Sequence, residues 1–455
     1  PPRRPVAIAQ PTPERRPVDA PKKRRRWWGV AGALAAGLAG MAGSMVGHRP
    51  VIAPVGPPDP ALFTAAALER GRQVAAAGDC VVCHTAPGGE PNAGGRAMET
   101  PFGTIVTTNL TPDPDTGIGR WSFAAFERAM REGISRDGRH LYPAFPYTSF
   151  TKLSGDDMLA LYAYLMSQPA VRNEVAGTSL AFPYNLRPGM ALWNALHLDP
   201  GPWAPDPARS AEWNRGAYLV EGAGHCGACH TPRNAMGAEK GGDAYLAGAI
   251  VDGWEAPPLT SLTHAPVPWT VDEFERYLRD GHTRHHGSVA GPMAPVVREL
   301  ATLPASDVRA MAVYLAALGT PVSDEAAAVA SRAAVEASIA MAATIRGPAQ
   351  RLFEGACGAC HHDGAGPVLL GRNLPLALHS SLHSAHPDNL IRVVLEGIAE
   401  PATRELGFMP SFRDAMSDRQ IGELAAYMRE RYAPSKPAWT GLEAEVARLR
   451  GARPH

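Results

Sequence analysis

Cys80-Val81-Val82-Cys83-His84 recurs as Cys226-Gly227-Ala228-Cys229-His230 and again as Cys357-Gly358-Ala359-Cys360-His361. The 455-residue chain has 6 cysteines, and these three pentapeptides use all of them. None is left for a disulfide framework, and the pairs lie too far apart in sequence to close one zinc site. A thiol–disulfide exchange pair would sit in a βαβ setting, and an iron–sulfur cluster would draw four cysteines together. Neither setting is legible. What Cys-x-x-Cys-His suits is a porphyrin: one helical turn presents two thiols to one ring edge, where they add to the vinyl groups as thioethers. The histidine that follows then points under the iron. The reading is three covalently bound haem c groups, held by Cys80 and Cys83, Cys226 and Cys229, and Cys357 and Cys360. His84, His230 and His361 are the expected proximal iron ligands.

Outward from each motif the chain repeats itself. A helical stretch leads in: Leu68-Glu-Arg-Gly-Arg-Gln-Val74, Trp213-Asn-Arg-Gly-Ala-Tyr-Leu219 and Gln350-Arg-Leu-Phe353. An amphipathic helix closes each copy, over 156–166, 306–318 and 417–432. Between them lies a third helix, opened by Trp121-Ser122 in the first copy and Trp269-Thr270 in the second, with the shorter 388–397 in the third. Ser122 and Thr270 read as N-caps, and Gly133 and Gly281 as C-terminal stops. Trp121 and Trp269 read as core aromatics.

About twelve residues beyond Gly133, Gly281 and Gly397 stand Phe145, Met293 and Met409, each in a loop stiffened by proline. A methionine thioether on the far side of the ring raises the reduction potential relative to histidine. Met293 and Met409 are therefore the expected sixth ligands of the second and third irons. Phe145 cannot bind iron. For the first haem three outcomes stay open: His140, Met98, or a site without either that is open to small exogenous ligands. His282, His285 and His286 read as a solvated loop, with a metal site as the alternative.

The bulk numbers agree with small helical modules. Apolar residues make up 45%, Lys plus Arg equals Asp plus Glu at 44 each, and Gly and Pro number 46 and 44. No overall charge bias points to nucleic acid, and the rarity of Val- and Ile-rich runs argues against a large parallel sheet. The fold class expected is all-α: three tandem haem modules at 63–172, 210–320 and 346–434. Residues 173–209 and 321–345 link or pack between them, and 435–455 form a C-terminal tail. Ahead of them, residues 1–26 are a basic, Pro-rich extension, and the uncharged run 27–47 is long enough to cross a bilayer core. It reads as a single transmembrane helix or as an export signal removed on maturation. The basic side stays cytoplasmic, which places the haem modules in the periplasm.

Pro101-Phe-Gly-Thr-Ile105, Thr107-Thr-Asn-Leu-Thr-Pro-Asp113, Leu141-Tyr-Pro-Ala-Phe-Pro-Tyr147, Gly291-Pro-Met293 and Pro387-Asp-Asn-Leu-Ile391 carry a family resemblance across residues 63–440. The chain resembles the trihaem cytochrome c subunits of membrane-bound bacterial dehydrogenases. The Phe form at 145, with Gly222-Ala-Gly-His-Cys-Gly-Ala-Cys-His-Thr-Pro-Arg233, resembles those paired with molybdopterin hydroxylases such as isoquinoline 1-oxidoreductase or nicotinate dehydrogenase. The resemblance implies electron transfer from a separate catalytic subunit of molybdopterin, flavin or quinone type, with a small iron–sulfur subunit as a further partner. It implies ubiquinone, a soluble cytochrome or a terminal oxidase as acceptor. No hydrolase triad, phosphate loop or paired-carboxylate centre is legible, so no substrate-transforming site is expected in this chain. Two alternatives are a standalone relay cytochrome and a peroxidase acting at an open first haem.

Overall fold

The computed structural model describes residues 49–283, 285–363, 375–401 and 407–452. The expected extension at 1–26 and apolar segment at 27–47 lie outside the described residues.

The first copy contains α1 (Ala65–Ala77), α2 (Phe123–Glu132) and α3 (Gly155–Met166). A connecting helix, α4 (Gly189–His197), leads to the second copy, with α5 (Ala211–Tyr218), α6 (Val271–Asp280), α7 (Met293–Leu300) and α8 (Ala305–Ala316). A long helix, α9 (Asp324–Thr344), precedes α10 (Pro348–Ala356), α11 (Asp388–Glu396), α12 (Asp418–Tyr432) and α13 (Leu442–Gly451). The caps follow the sequence. Ser122 Oγ accepts from Ala125 N at 3.2 Å and Thr270 Oγ1 from Glu273 N at 3.3 Å. Gly133 and Gly281 end their helices in the left-handed region, at φ 63° and 70°.

In each of the first two copies the opening and closing helices cross at a glycine. A Cβ on Gly71 would lie 2.0 Å from Ala160 O, and one on Gly216 would lie 1.9 Å from Ala310 O. Only a residue without a side chain lets the backbones approach this closely. The preceding arginine fixes each crossing. Arg70 donates to both carboxylate oxygens of Asp157 at 2.6 and 2.9 Å, and Arg215 to both of Asp307 at 2.8 and 2.6 Å. The third copy crosses on aromatics instead: Phe353 packs on Tyr427 and Tyr432, with ring centroids 5.5 and 5.8 Å apart.

One continuous apolar core runs through the first two copies, joining Phe150, Leu161 and Leu165 to Leu219, Trp269 and Met311. The third copy has its own core around Phe353, Ile391, Leu424 and Tyr427. Polar contacts tie the first pair together: Tyr218 donates to Asp157 at 2.5 Å, and Lys152 pairs with Glu221 at 2.9 Å.

The structure departs from the all-helical expectation in small antiparallel pieces. β1 (Ala97–Thr100), β2 (Gly103–Val106) and β3 (Ser179–Leu180) make one sheet in that order. β4 (Ala249–Val251) pairs with β5 (Trp254–Ala256), and β6 (His282–Thr283) with β7 (Gly287–Ser288). Residues 435–455, expected as a tail, instead contain α13, whose Val446 and Leu449 are fully buried in the third core. Arg450 anchors α13 to Asp418 at 2.6 Å. The helix α9 is long and apolar enough to cross a membrane by length and composition, yet it packs against α12 and buries only Ala327, Ser331 and Ser338.

Candidate haem-binding sites

Each motif forms a single tight turn. The His84, His230 and His361 amides donate to Cys80, Cys226 and Cys357 carbonyls at 2.9, 2.9 and 2.8 Å. This turn brings the paired thiols to one side and the imidazole to the end. Desolvation pushes the thiols of Cys80 and Cys226 up to about 12, and those of Cys83 and Cys357 up to about 11. Burial thus disfavours the thiolate at these four positions.

The imidazoles are oriented by backbone carbonyls. His84 Nδ1 lies 2.7 Å from Thr108 O, and His230 Nδ1 lies 2.8 Å from Pro257 O. A carbonyl accepts only, so Nδ1 carries the proton and Nε2 keeps its lone pair for a metal. Desolvation also lowers the pKa of all three histidines, which favours the neutral ligating form. His361 Nδ1 is buried without a hydrogen-bond partner among the described residues.

The second and third motifs open into one cavity of about 770 Å³. Its lining includes Cys226, Cys229 and His230 with Met293, and Cys357, Cys360 and His361 with Met409. Both methionines therefore line the cavity that the two motifs share. Their loops share a register with the first copy. Leu141 N donates to Gly133 O and Val289 N to Gly281 O, both at 2.7 Å, and Phe145 and Met293 each stand four residues further on. Met409 exchanges two backbone hydrogen bonds with Ile398, at 2.8 and 3.0 Å.

The wall is mostly apolar, with a few buried nitrogens left unpaired. Trp254 Nε1, Trp269 Nε1, His286 Nε2 and His379 Nε2 are buried without partners among the described residues, and all four residues line the cavity. Burial takes the pKa of His286 and His379 down to about 3. An apolar cavity lined by thiols, imidazoles and methionine thioethers, with the Trp254 and Trp269 indole N–H groups unpaired, fits a porphyrin, whose carboxylates need such donors. Sequence reading missed Trp254 and His379, which no repeat singles out. It also took the 282–286 histidines for a solvated loop. Instead, His282 and His286 are buried, His286 stacks on Trp269 with centroids 4.0 Å apart, and His285 pairs with Glu273 at 3.0 Å. Among the described residues no cluster of three His, Cys, Asp or Glu side chains stands ready for a bare metal ion.

In the first copy, Phe145 packs against Phe150 and Tyr147, at 5.5 and 6.2 Å between centroids. His140 is buried and bridges to Ile134, while Met98 sits half-buried on β1 opposite Ile105. The first two motifs abut. His225 Nε2, one residue before Cys226, lies 3.1 Å from Gly78 O, two residues before Cys80.

Residues 68–169 match the cytochrome c family, and residues 347–428 match subunit III of the cbb3-type cytochrome c oxidases. The fold and the motifs thus define a haem protein built from cytochrome c domains, which hold covalently bound haem c. Over 404 residues the chain is 35% identical to the cytochrome c subunit of the quinone alcohol dehydrogenase of Gluconacetobacter polyoxogenes, covering 85% of this chain and 84% of that one. It is 58% identical over 436 residues to one of the subunits of the nicotinate dehydrogenase of Pseudomonas putida, covering 95% of this chain. That match takes in 36% of the relative, so the chain spans about a third of its length. A diheme c-type cytochrome of Cereibacter sphaeroides is 39% identical over 264 residues, 56% of this chain and 88% of that protein. The chain belongs to the family of dehydrogenase cytochrome c subunits.

Proposed function

We propose that this chain carries electrons through three haem c groups, one in each of the modules 63–172, 210–320 and 346–434. They pass from a separate dehydrogenase catalytic subunit to ubiquinone, a soluble cytochrome or a terminal oxidase. A haem iron, when bound, takes up and releases one electron at a time. The chain's own residues fix everything else. Three Cys pairs would tether the rings, and His84, His230 and His361, held by their motif turns, would ligate the irons. Met293 and Met409, which line the shared cavity, would supply a thioether ligand at the second and third sites. The first site has Phe145 at that register, so its iron takes His140, Met98 or no side chain and differs in potential from the others.

The observation that carries the reading is the continuity of the sites. The first motif touches the second through His225 and Gly78, and the second shares its cavity with the third. A relay runs through such a chain in sequence order, in one direction or the other. The likeness to the nicotinate dehydrogenase chain, with the Phe145 form, favours a molybdopterin hydroxylase as the electron source. The apolar run 27–47 would tether the chain to the cytoplasmic membrane with its haem modules on the periplasmic side.

Intact mass of periplasmically matured protein should show three haem increments. Met293→Ala and Met409→Ala should each remove one methionine-to-iron charge-transfer absorption from the ferric spectrum and lower one of three potentials. Mass for fewer than three haems, or spectra unchanged in both variants, would refute the assignment.

A further inference from the structure

Residues 175–198 contain no acidic side chain and, apart from His197, one basic one, Arg187. In the folded chain this stretch leaves apolar groups in water. Phe182 is 77% exposed, Leu192 63% and Leu196 58%, with Tyr184, Leu186 and the neighbouring Met236 also exposed. Isolated surface leucines need no explanation, but a cluster of this kind marks a contact surface. The helix α4 is apolar on two sides. Trp193 turns inward, buried at 4% exposure against Tyr147, and donates to Met236 O at 3.0 Å. Leu192 and Leu196, one turn apart, share the outward face. Tyr184 packs at 4.5 Å on Phe102, which fixes the start of the segment to the β1–β2 turn. The patch is therefore held rigidly outward.

Its position suggests what covers it. The apolar run 27–47 ends two residues before Arg49, whose amide donates to Gly138 O at 3.2 Å. Arg187 donates to the carbonyl of His140, two residues along the same loop, at 2.7 Å and lies over the Tyr142 ring at 4.4 Å. The chain's emergence from the apolar run and the exposed patch thus meet on one loop. Phenylalanine, tyrosine, leucine and a single arginine, with no acid, are also the residues that settle at a lipid interface.

We propose that Phe182, Tyr184, Leu186, Leu192, Leu196 and Met236 form an interfacial membrane-docking surface that seats the first haem module flat on the lipid. This rests on the reading of residues 27–47 as a membrane tether. Together, tether and patch fix the orientation of the module, which a single helix followed by a short linker would leave free.

The holoprotein's own cysteines are all tied up as thioethers, so one introduced cysteine is a unique probe. Leu196→Cys and, as a control on the exposed side of β4, Ile250→Cys are compared in vesicles of phosphatidylethanolamine and phosphatidylglycerol, using a bulky water-soluble maleimide. The Leu196→Cys site should react at least about tenfold more slowly than the control, and detergent should abolish the difference. Equal rates in vesicles overturn the proposal. So does protection that arises only when the catalytic subunit is present and survives detergent, because the face then belongs to that subunit. Sedimentation with the vesicles tests the tether separately. L192D/L196D should still sediment through the apolar run while a Leu186→Cys probe added to it becomes reactive. If wild type sediments and L192D/L196D does not, the tether reading fails and the patch stands alone. If neither sediments, both fail.

Discussion

Asp79 shows how much a single position beside a haem site is constrained. It stands immediately before Cys80 with φ 51°, is 7% exposed, and its Oδ1 has no hydrogen-bond partner among the described residues. Burial, reinforced by Glu299 and opposed by Arg298, raises its carboxyl from 3.8 to about 7. The folded value is the higher one, so the native state binds the extra proton between these limits. Stability should therefore be greatest below pH 4 as far as this group is concerned, and fall as pH rises towards 7, by up to roughly 1.4 kcal/mol per unit. Asp79→Asn keeps a residue that tolerates the left-handed backbone and removes the charge. The urea midpoint of the holoprotein at pH 7 should rise relative to that at pH 5 in the variant; an unchanged difference would show that Asp79 does not titrate there. At this scale the sequence was legible where covalent chemistry fixes spacing, as in Cys80, Cys83 and His84. It was silent on Asp79, Trp254 and His379, whose roles come from burial by segments distant in the chain.

Helix crossings test whether propensity or packing governs these elements. By propensity alone, Gly216→Ala should stabilise α5 by about 1 kcal/mol. The new Cβ would meet Ala310 O at 1.9 Å, and that atom is backbone in α8, which cannot swing aside. Overpacking costs typically ~1–3 kcal/mol, and here the Arg215–Asp307 pair must stretch as the helices part. Packing should win. Gly216→Ala is expected to lower the melting midpoint by several degrees, with Gly71→Ala behaving alike in the first copy and Gly355→Ala, which has open space, neutral or slightly stabilising. Thermal melts followed by circular dichroism would decide it, and a rise in midpoint for Gly216→Ala would refute the packing argument. Helix positions, and caps such as Ser122 and Thr270, were readable because they depend on neighbours within four residues. The hairpins β4–β5 and β6–β7 were not, since their two or three residues carry too short an alternation to register. Helix α13 was missed for another reason: its apolar Val446 and Leu449 find partners only through α12 and α11, and a charged sequence reads as tail until that docking is seen.

The whole molecule divides unequally, which repeated motifs alone conceal. Three copies in sequence suggest three equivalent beads, yet the first two share one apolar core and abut through His225 and Gly78. The third keeps a core of its own and meets the second at the haem cavity and along β5. There Asn389 exchanges two 2.8 Å hydrogen bonds with the Glu255 backbone, and Arg392 donates to Gly253 O at 2.7 Å while lying over Trp254. These polar contacts join two modules whose cores are separate, and parting them opens the apolar cavity that they share while leaving each core closed. A chain ending at residue 320 should therefore fold as a stable dihaem protein, and a chain ending within the 173–209 link, which strips the second copy from the shared core, should not yield a stable first module. The diheme relative, matching 264 residues, has the length that two such modules occupy. Expression of the 49–320 segment with periplasmic haem attachment should give two haems per chain and a single cooperative unfolding transition. Two separate transitions would mean that the shared core contributes little, and failure to retain haem would mean that the third module holds the other two in place.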